Sequence, residues 1–183
     1  MKQFIVVSIA LTALSLAVGA QAQEIKKGDK LQTLANLHPD MAKRLLYTTN
    51  YQLQGLIPVC ADVTVTDISK KEMEFDYKGI AFRIEYEKNT KGAGVSFQDA
   101  VKAYFGPACD QAKMKGLNAA DKEGVKTGKA RVGMTKNGIL LALGRPPFHA
   151  NPLLDGNYWL YWENRFAKMG IEFDDKGVVT GIR

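Results

Sequence analysis

Alternation of polar and apolar residues is strictest in the middle of the chain. Glu72, Glu74 and Asp76 alternate with Met73, Phe75 and Tyr77; after Lys78-Gly79, Ile80, Phe82, Ile84 and Tyr86 are set against Ala81, Arg83, Glu85 and Glu87. A period of two predicts half-buried strands, and the Lys-Gly pair between them predicts a tight hairpin with one apolar face. Val63 and Val65, alternating with Thr64 and Thr66, predict a strand just before it. Upstream, Leu31, Leu34, Leu37, Leu45, Leu46 and Tyr47 are spaced irregularly around His38-Pro39, and the stretch from Tyr51 to Pro58 reads as a short strand leading into a turn. Together these segments predict a small β barrel of about five short strands.

Beyond Asn89 the period changes. Ser96 is placed to cap a helix in which Phe97, Ala100, Val101, Tyr104 and Phe105 share one face, and Gly106-Pro107 ends it. Residues 107–132 are polar and lysine-rich and predict a connector, with a short helical turn from Asn118 to Glu123. Thr135 then reads as an N-cap, Ile139, Leu140 and Leu143 as an apolar face, and Gly144 with Pro146-Pro147 as a stop. The aromatic run from Tyr158, the alternation of Ala167, Met169, Ile171 and Phe173, the Asp174–Gly177 turn and the Val178–Ile182 segment predict a three-stranded antiparallel meander. A helix on a meander is a small α+β layer.

Two resemblances follow from these residues. Lys27-Gly28-Asp29, Leu56-Ile57-Pro58 before the valine strand, and the Phe75/Ile80 hairpin resemble a bacterial SH3-like barrel over residues 27–90. Such domains bind peptides, cell-wall fragments or neighbouring domains. Gly133-Met134-Thr135, Ala142-Leu143-Gly144 with Pro146, Trp159 with Tyr161, Arg165, Phe173, and Gly177-Val178 with Thr180 and Ile182 resemble the BamE (SmpA/OmlA) outer-membrane assembly family over residues 131–183. That resemblance implies short helices on a three-stranded sheet, a non-catalytic scaffold, and contacts with envelope proteins and lipid headgroups. The chain departs from that family in lacking a lipidated cysteine and in a short loop between Arg165 and Phe173. The expected organisation is therefore α+β: a signal peptide over 1–22, an SH3-like β barrel over 23–90, a helix and basic linker over 91–130, and a BamE-like domain over 131–183.

Composition adds location rather than chemistry. The 183 residues are 46% hydrophobic and 24% charged, which is ordinary for a globular protein. Lys2, the apolar run from Phe4 to Val18 and Ala20-Gln21-Ala22 form a secretory signal with cleavage expected after Ala22. Removing it takes away one charge, Lys2, from a formal net charge of +6, and the remaining mild basicity suits anionic lipid or cell-wall surfaces. Nucleic acid is not an expected partner of an exported chain, and the periplasm is the expected compartment. Cys60 and Cys109, an even pair in an oxidising compartment, are expected to form a disulfide. Closing a loop of roughly 50 residues would contribute about 4 kcal/mol on the chain-entropy account.

Few residues are arranged for chemistry. His38 and His149 lack metal-ligand spacing, no H-E-x-x-H or C-x-x-C is present, and no metal or cofactor is expected. Gly92-Ala93-Gly94 lacks the third glycine of a dinucleotide fingerprint, and Gly124–Ala130 mimics a phosphate loop with one residue too few and Ala130 in place of the hydroxyl. Glu72 with Glu74, Glu85 with Glu87, and Asp174-Asp175 are expected on solvated strand faces and a turn. A hydrolase built on Cys109 or Ser69 with His149 is the enzymatic alternative, and a secreted enzyme inhibitor is another. The leading expectation is a non-enzymatic interaction module of the cell envelope. Its candidate binding residues are Trp159, Tyr161, Trp162 and Arg165, because one face of an all-aromatic strand must be core and the other is left for contact. The stretch from His149 to Asn157 is alternatively placed to fold over that second face.

Overall fold

Lys78 and Gly79 adopt φ of 54° and 79°, the left-handed pair that a two-residue hairpin turn demands, and Asp76 Oδ1 accepts the Gly79 N–H at 3.0 Å. The turn fixes the register: Tyr77 faces Ile80, Phe75 faces Phe82 and Met73 faces Ile84. The expected hairpin is thus present, and its Met73, Phe75, Phe82 and Ile84 face is buried. The computed structural model describes residues 23–183; the expected signal over 1–22 lies outside the described residues.

In chain order the first elements are β1 (Lys30–Thr33), β2 (Leu45–Tyr47), β3 (Asp62–Ile68), β4 (Glu72–Tyr77) and β5 (Ile80–Glu85). Short helices α1 (Lys88–Gly92) and α2 (Phe97–Lys102) precede β6 (Phe105–Gly106). Then come α3 (Gln111–Lys115), α4 (Ala119–Thr127), α5 (Lys136–Leu143), β7 (Tyr158–Trp162), β8 (Lys168–Phe173) and β9 (Val179–Ile182). The class is α+β, with a mixed six-stranded sheet ordered β2-β5-β4-β3-β1-β6 and a three-stranded antiparallel sheet ordered β7-β8-β9.

The first sheet differs from the expected five-stranded barrel. Its edges are β2 and β6, and β2 runs parallel to β5, with Leu45 opposite Arg83 and Tyr47 opposite Glu85. The segment from Tyr51 to Pro58, expected as a strand, makes only single bridges, Ile57 to Leu37 and Tyr51 to Trp162. Three strands went unexpected because runs of two to four residues carry almost no periodicity: β1, where Leu31 and Thr33 are buried, β2, and β6, which pairs with β1. The helix expected to reach Phe105 stops at Lys102, since Phe105 is drawn into the sheet opposite Thr33 and packs edge-on against Phe75 at 5.1 Å.

Residues 91–130, expected as a helix and basic linker, are shared between two cores. Phe97, Val101, Tyr104 and Phe105 close the first core over the six-stranded sheet. Ala120, Val125 and Ala130 pack on the second, which holds Met134, Ile139, Leu143, Trp159, Tyr161, Ile171 and Val179. The expected turn at Asn118 is the start of the nine-residue α4, whose lysines face solvent. Asn118 and Asp121 form a reciprocal cap at its N-terminus, and Gly128 at φ 66° ends it. Asp121 is fully buried, and it also accepts the Thr135 N–H at 2.7 Å and the Thr135 hydroxyl at 3.1 Å. Thr135 in turn caps α5 through Gly138, so one carboxylate organises two helix starts.

The two cores are joined by polar side chains at the C-terminus of α5. A helix leaves its last carbonyls without intrahelical partners. Here His38 meets Ala142 O at 2.9 Å, Asn36 Nδ2 donates to Ala142 O and to Val125 O, and Asn50 Nδ2 donates to Leu143 O and Arg145 O, each at 2.8 Å. Gln52 Nε2 adds a bond to Leu143 O at 3.1 Å. Residues 36–52 of the first unit therefore act as the C-cap of a helix in the second. The expected disulfide is present: Cys60 and Cys109 are bonded, with Cα atoms 5.2 Å apart and a sequence separation of 49. Gln32 in β1 accepts the Cys109 N–H at 2.9 Å, and Cys60 N–H donates to Thr33 O at 2.9 Å.

Candidate functional site

Tyr158-Trp159-Leu160-Tyr161-Trp162 forms β7, and the period of two sorts its aromatics onto opposite faces. Trp159 and Tyr161 point inward and are 1% and 0% exposed. Trp159 meets Phe173 edge-on at 4.7 Å, and the Tyr161 hydroxyl donates to Gly144 O at 2.8 Å. Burial first, and then Tyr104 nearby, pushes the Tyr161 phenol well above its usual range. These two of the four candidate binding residues are core and offer no contact surface.

The other face carries Tyr158, Leu160 and Trp162. Asn151 imitates a neighbouring strand there: its Nδ2 donates to Leu160 O at 2.8 Å and its Oδ1 accepts the Leu160 N–H at 3.0 Å. His149 lies 4.8 Å from the Trp162 ring, and Lys168 Nζ lies 5.0 Å from it on β8. Burial, with a smaller effect from Lys168, lowers the His149 pKa. The segment from His149 thus covers part of this face, while Tyr158 stays half exposed and Trp162 sits between an imidazole and an ammonium.

Arg165 belongs to a second cluster that draws on both units. Its guanidinium lies 5.8 Å from the Tyr47 ring and 3.9 Å from Glu87 Oε1. Tyr47 and Tyr51 meet edge-on at 5.3 Å, and the Tyr51 hydroxyl donates to Glu87 at 3.1 Å. Burial and the Glu87 charge push the Tyr51 pKa up to about 12. The Arg165 ion pair is long and its guanidinium is exposed, so it holds the side chain only loosely.

Between Trp162 and Lys168 the chain makes a turn that presents Phe166, which sequence reasoning did not single out. Asn164 Oδ1 accepts the Phe166 and Ala167 N–H groups at 2.8 and 3.0 Å, and the Glu163 N–H donates to Ala167 O at 3.0 Å. The turn is therefore set by its own hydrogen bonds, yet Phe166 is 95% exposed. The available signal was Asn164, a residue whose side chain bonds the backbone two residues on and so favours a turn.

The residues weighed for catalysis are dispersed. The Cys109 sulfur is bonded to Cys60. Ser69 Oγ accepts the Lys71 and Glu72 N–H groups at 3.2 and 3.1 Å and its hydroxyl reaches Glu72 O, an arrangement that closes the β3–β4 turn. His149 is on Trp162, and His38 is buried against Ala142. Burial is the larger influence on His38 and lowers its pKa, against the opposing effect of that hydrogen bond. Among the described residues no group of three His, Cys, Asp or Glu side chains is placed to hold a metal ion. No protein-family model, curated protein or solved structure matches this chain.

Proposed function

We propose that the protein is an exported, non-enzymatic component of the cell envelope that acts as a protein-interaction or scaffold module. On this reading residues 1–22 are a signal peptide, the chain works in the periplasm, the six-stranded sheet is an SH3-like unit and the second core is a BamE-like unit. The disulfide is compatible with an oxidising compartment.

The observation that carries the reading is Phe166, held out on a turn fixed by Asn164 and flanked by Arg165, Lys168 and Trp162. An aromatic presented by a rigid turn loses little conformational freedom on docking, and Trp, Tyr and Arg are the residues that most often anchor interfaces. Magnitudes favour a protein over a lipid surface. Burying one Phe gives roughly 1.5–3 kcal/mol, and two cations near an anionic leaflet add about 1 kcal/mol each. The sum of 3.5–5 kcal/mol corresponds to an affinity of only about millimolar, whereas a fitted protein pocket also engages Trp162 and Tyr158.

Envelope crosslinking followed by capture, with wild type, Phe166→Asp and Trp162→Ala in parallel, tests it. Specific partners lost in both variants support the reading. Identical capture by all three folded proteins overturns this surface, and cosedimentation with anionic vesicles that Phe166→Asp abolishes transfers it to lipid.

A further inference from the structure

A cleft of about 430 Å³ opens where the two units meet, between the segment from Gln52 to Leu56, the end of α4 at Thr127–Ala130, and the Glu163 and Met169 positions of the second sheet. Its walls include Leu53, Leu56 and Met169, which give it an apolar body. Four of its polar side chains, those of His38, Gln52, Thr127 and Glu163, keep a free acceptor, while Gln54 and Lys129, both exposed, also line it.

His38 lines the cleft and is 5% exposed. Its Nε2 faces a carbonyl, Ala142 O, and so must be the protonated nitrogen, which leaves the lone pair on Nδ1. Gln52 spends both Nε2 protons on Asn50 O and Leu143 O, and its buried Oε1 finds no donor among the described residues. Thr127 donates its hydroxyl proton to Glu123 O at 2.8 Å, which leaves its oxygen as an acceptor. Glu163 is an exposed carboxylate that makes no ion pair among the described residues. The C-terminal end of α4 adds partial negative charge on the same side. Lys129 also lines the cleft, but it is exposed, and its long stem lets the ammonium turn out to solvent.

From this pattern we infer that the cleft is a binding site for a protonated primary amine on an alkyl stem. An ammonium has three donors and no acceptor, matching His38, Gln52 and Thr127, whose donors are already spent, and the Glu163 carboxylate. The apolar walls accept the methylenes, and Glu163 supplies the countercharge at the mouth. A free alkylamine and the lysine side chain of a peptide share this chemistry. The site does not depend on the Phe166 surface, and each can fail without the other.

The test is an NMR titration of the disulfide-bonded protein at neutral pH with n-pentylamine and with a capped lysyl tripeptide, using n-pentanol and pentanoate as controls. The expected result is saturable shifts at His38 and Leu56 with an ammonium ligand, and binding about tenfold weaker for pentanol, as loss of a charge-assisted hydrogen bond predicts. Glu163→Gln, an exposed change without folding cost, weakens the amine about tenfold on the same ground. Leu56→Trp fills the mouth and abolishes binding. Saturation by pentylamine alone supports a small-amine ligand, and saturation by the tripeptide supports a protein lysine. Absence of shifts with both amines, pentanol binding as tightly as pentylamine, or binding unchanged in both variants overturns the inference.

Discussion

His38 and Ala142 are 104 residues apart and share a hydrogen bond of 2.9 Å in the interior, where the imidazole caps the end of a helix that belongs to the other core. Burial keeps this histidine neutral, so its contribution to stability depends on pH. The folded-state pKa is below the ordinary 6.5, and the unfolded chain therefore binds more protons in the window between the two values. The contribution is complete above about pH 6.5, is lost as pH falls from there to the folded-state value, and changes no further below it. Melting temperature measured against pH should show this slope in wild type and a shallower one in His38→Gln. His149, also lowered, adds its own share of the slope, which His149→Gln measures separately.

Asn50 should be costly to truncate. It adopts φ 57°, a left-handed conformation that asparagine tolerates better than most, and it donates to both Leu143 O and Arg145 O. Asn50→Ala takes the side-chain donor from Arg145 O and leaves Leu143 O with Gln52 alone, and a loss of about 1–3 kcal/mol is expected from two such bonds. Urea denaturation would measure it, and a loss below about 1 kcal/mol, within the range of a single net hydrogen bond, would show that water replaces the side chain.

The carboxylate of Asp121 presents a sharper case. Its removal in Asp121→Ala leaves the Asn118 N–H, the Thr135 N–H and the Thr135 hydroxyl without their acceptor, at the starts of both α4 and α5. A cost of roughly 3 kcal/mol or more is expected from several part-buried donors left unpaired together. Gly138→Ala should also destabilise, because a methyl group there would collide with the same carboxylate. Circular dichroism during thermal unfolding reads both.

Native protein should show no alkylatable thiol, and reduction should lower stability by up to about 4 kcal/mol for a loop of this size. A rapidly modified Cys109 in the folded, unreduced protein would bring back the hydrolase alternative.

How much of this was legible depends on the range of each interaction. The β4–β5 hairpin was readable because its alternation and its Lys78-Gly79 turn are local. Thr135 and Gly144 likewise announced α5 at both ends. By contrast, α4 was hidden by its lysines, since only Ala120, Val125 and the buried Asp121 betray its inner face. The clasp made by Asn36, His38, Asn50 and Gln52 had no sequence signal, because each polar side chain is matched to a carbonyl some 90 or more residues away. At the aromatic strand, the pattern foresaw one buried and one open face. Which was which came from Phe173 and Gly144, and Phe166 emerged only once the turn was seen.

The link between Cys60 and Cys109 also decides how the molecule would carry a pull. Tension applied at its two ends would cross from one sulfur to the other, so β3, β4, β5, α1, α2 and β6 would hang as an unloaded side loop. The β3–β5 strands and α2 would then stay folded under strain, and the parts that carry the load would be β1, β2 and the polar clasp on α5, the seam at which the chain could lengthen and recover.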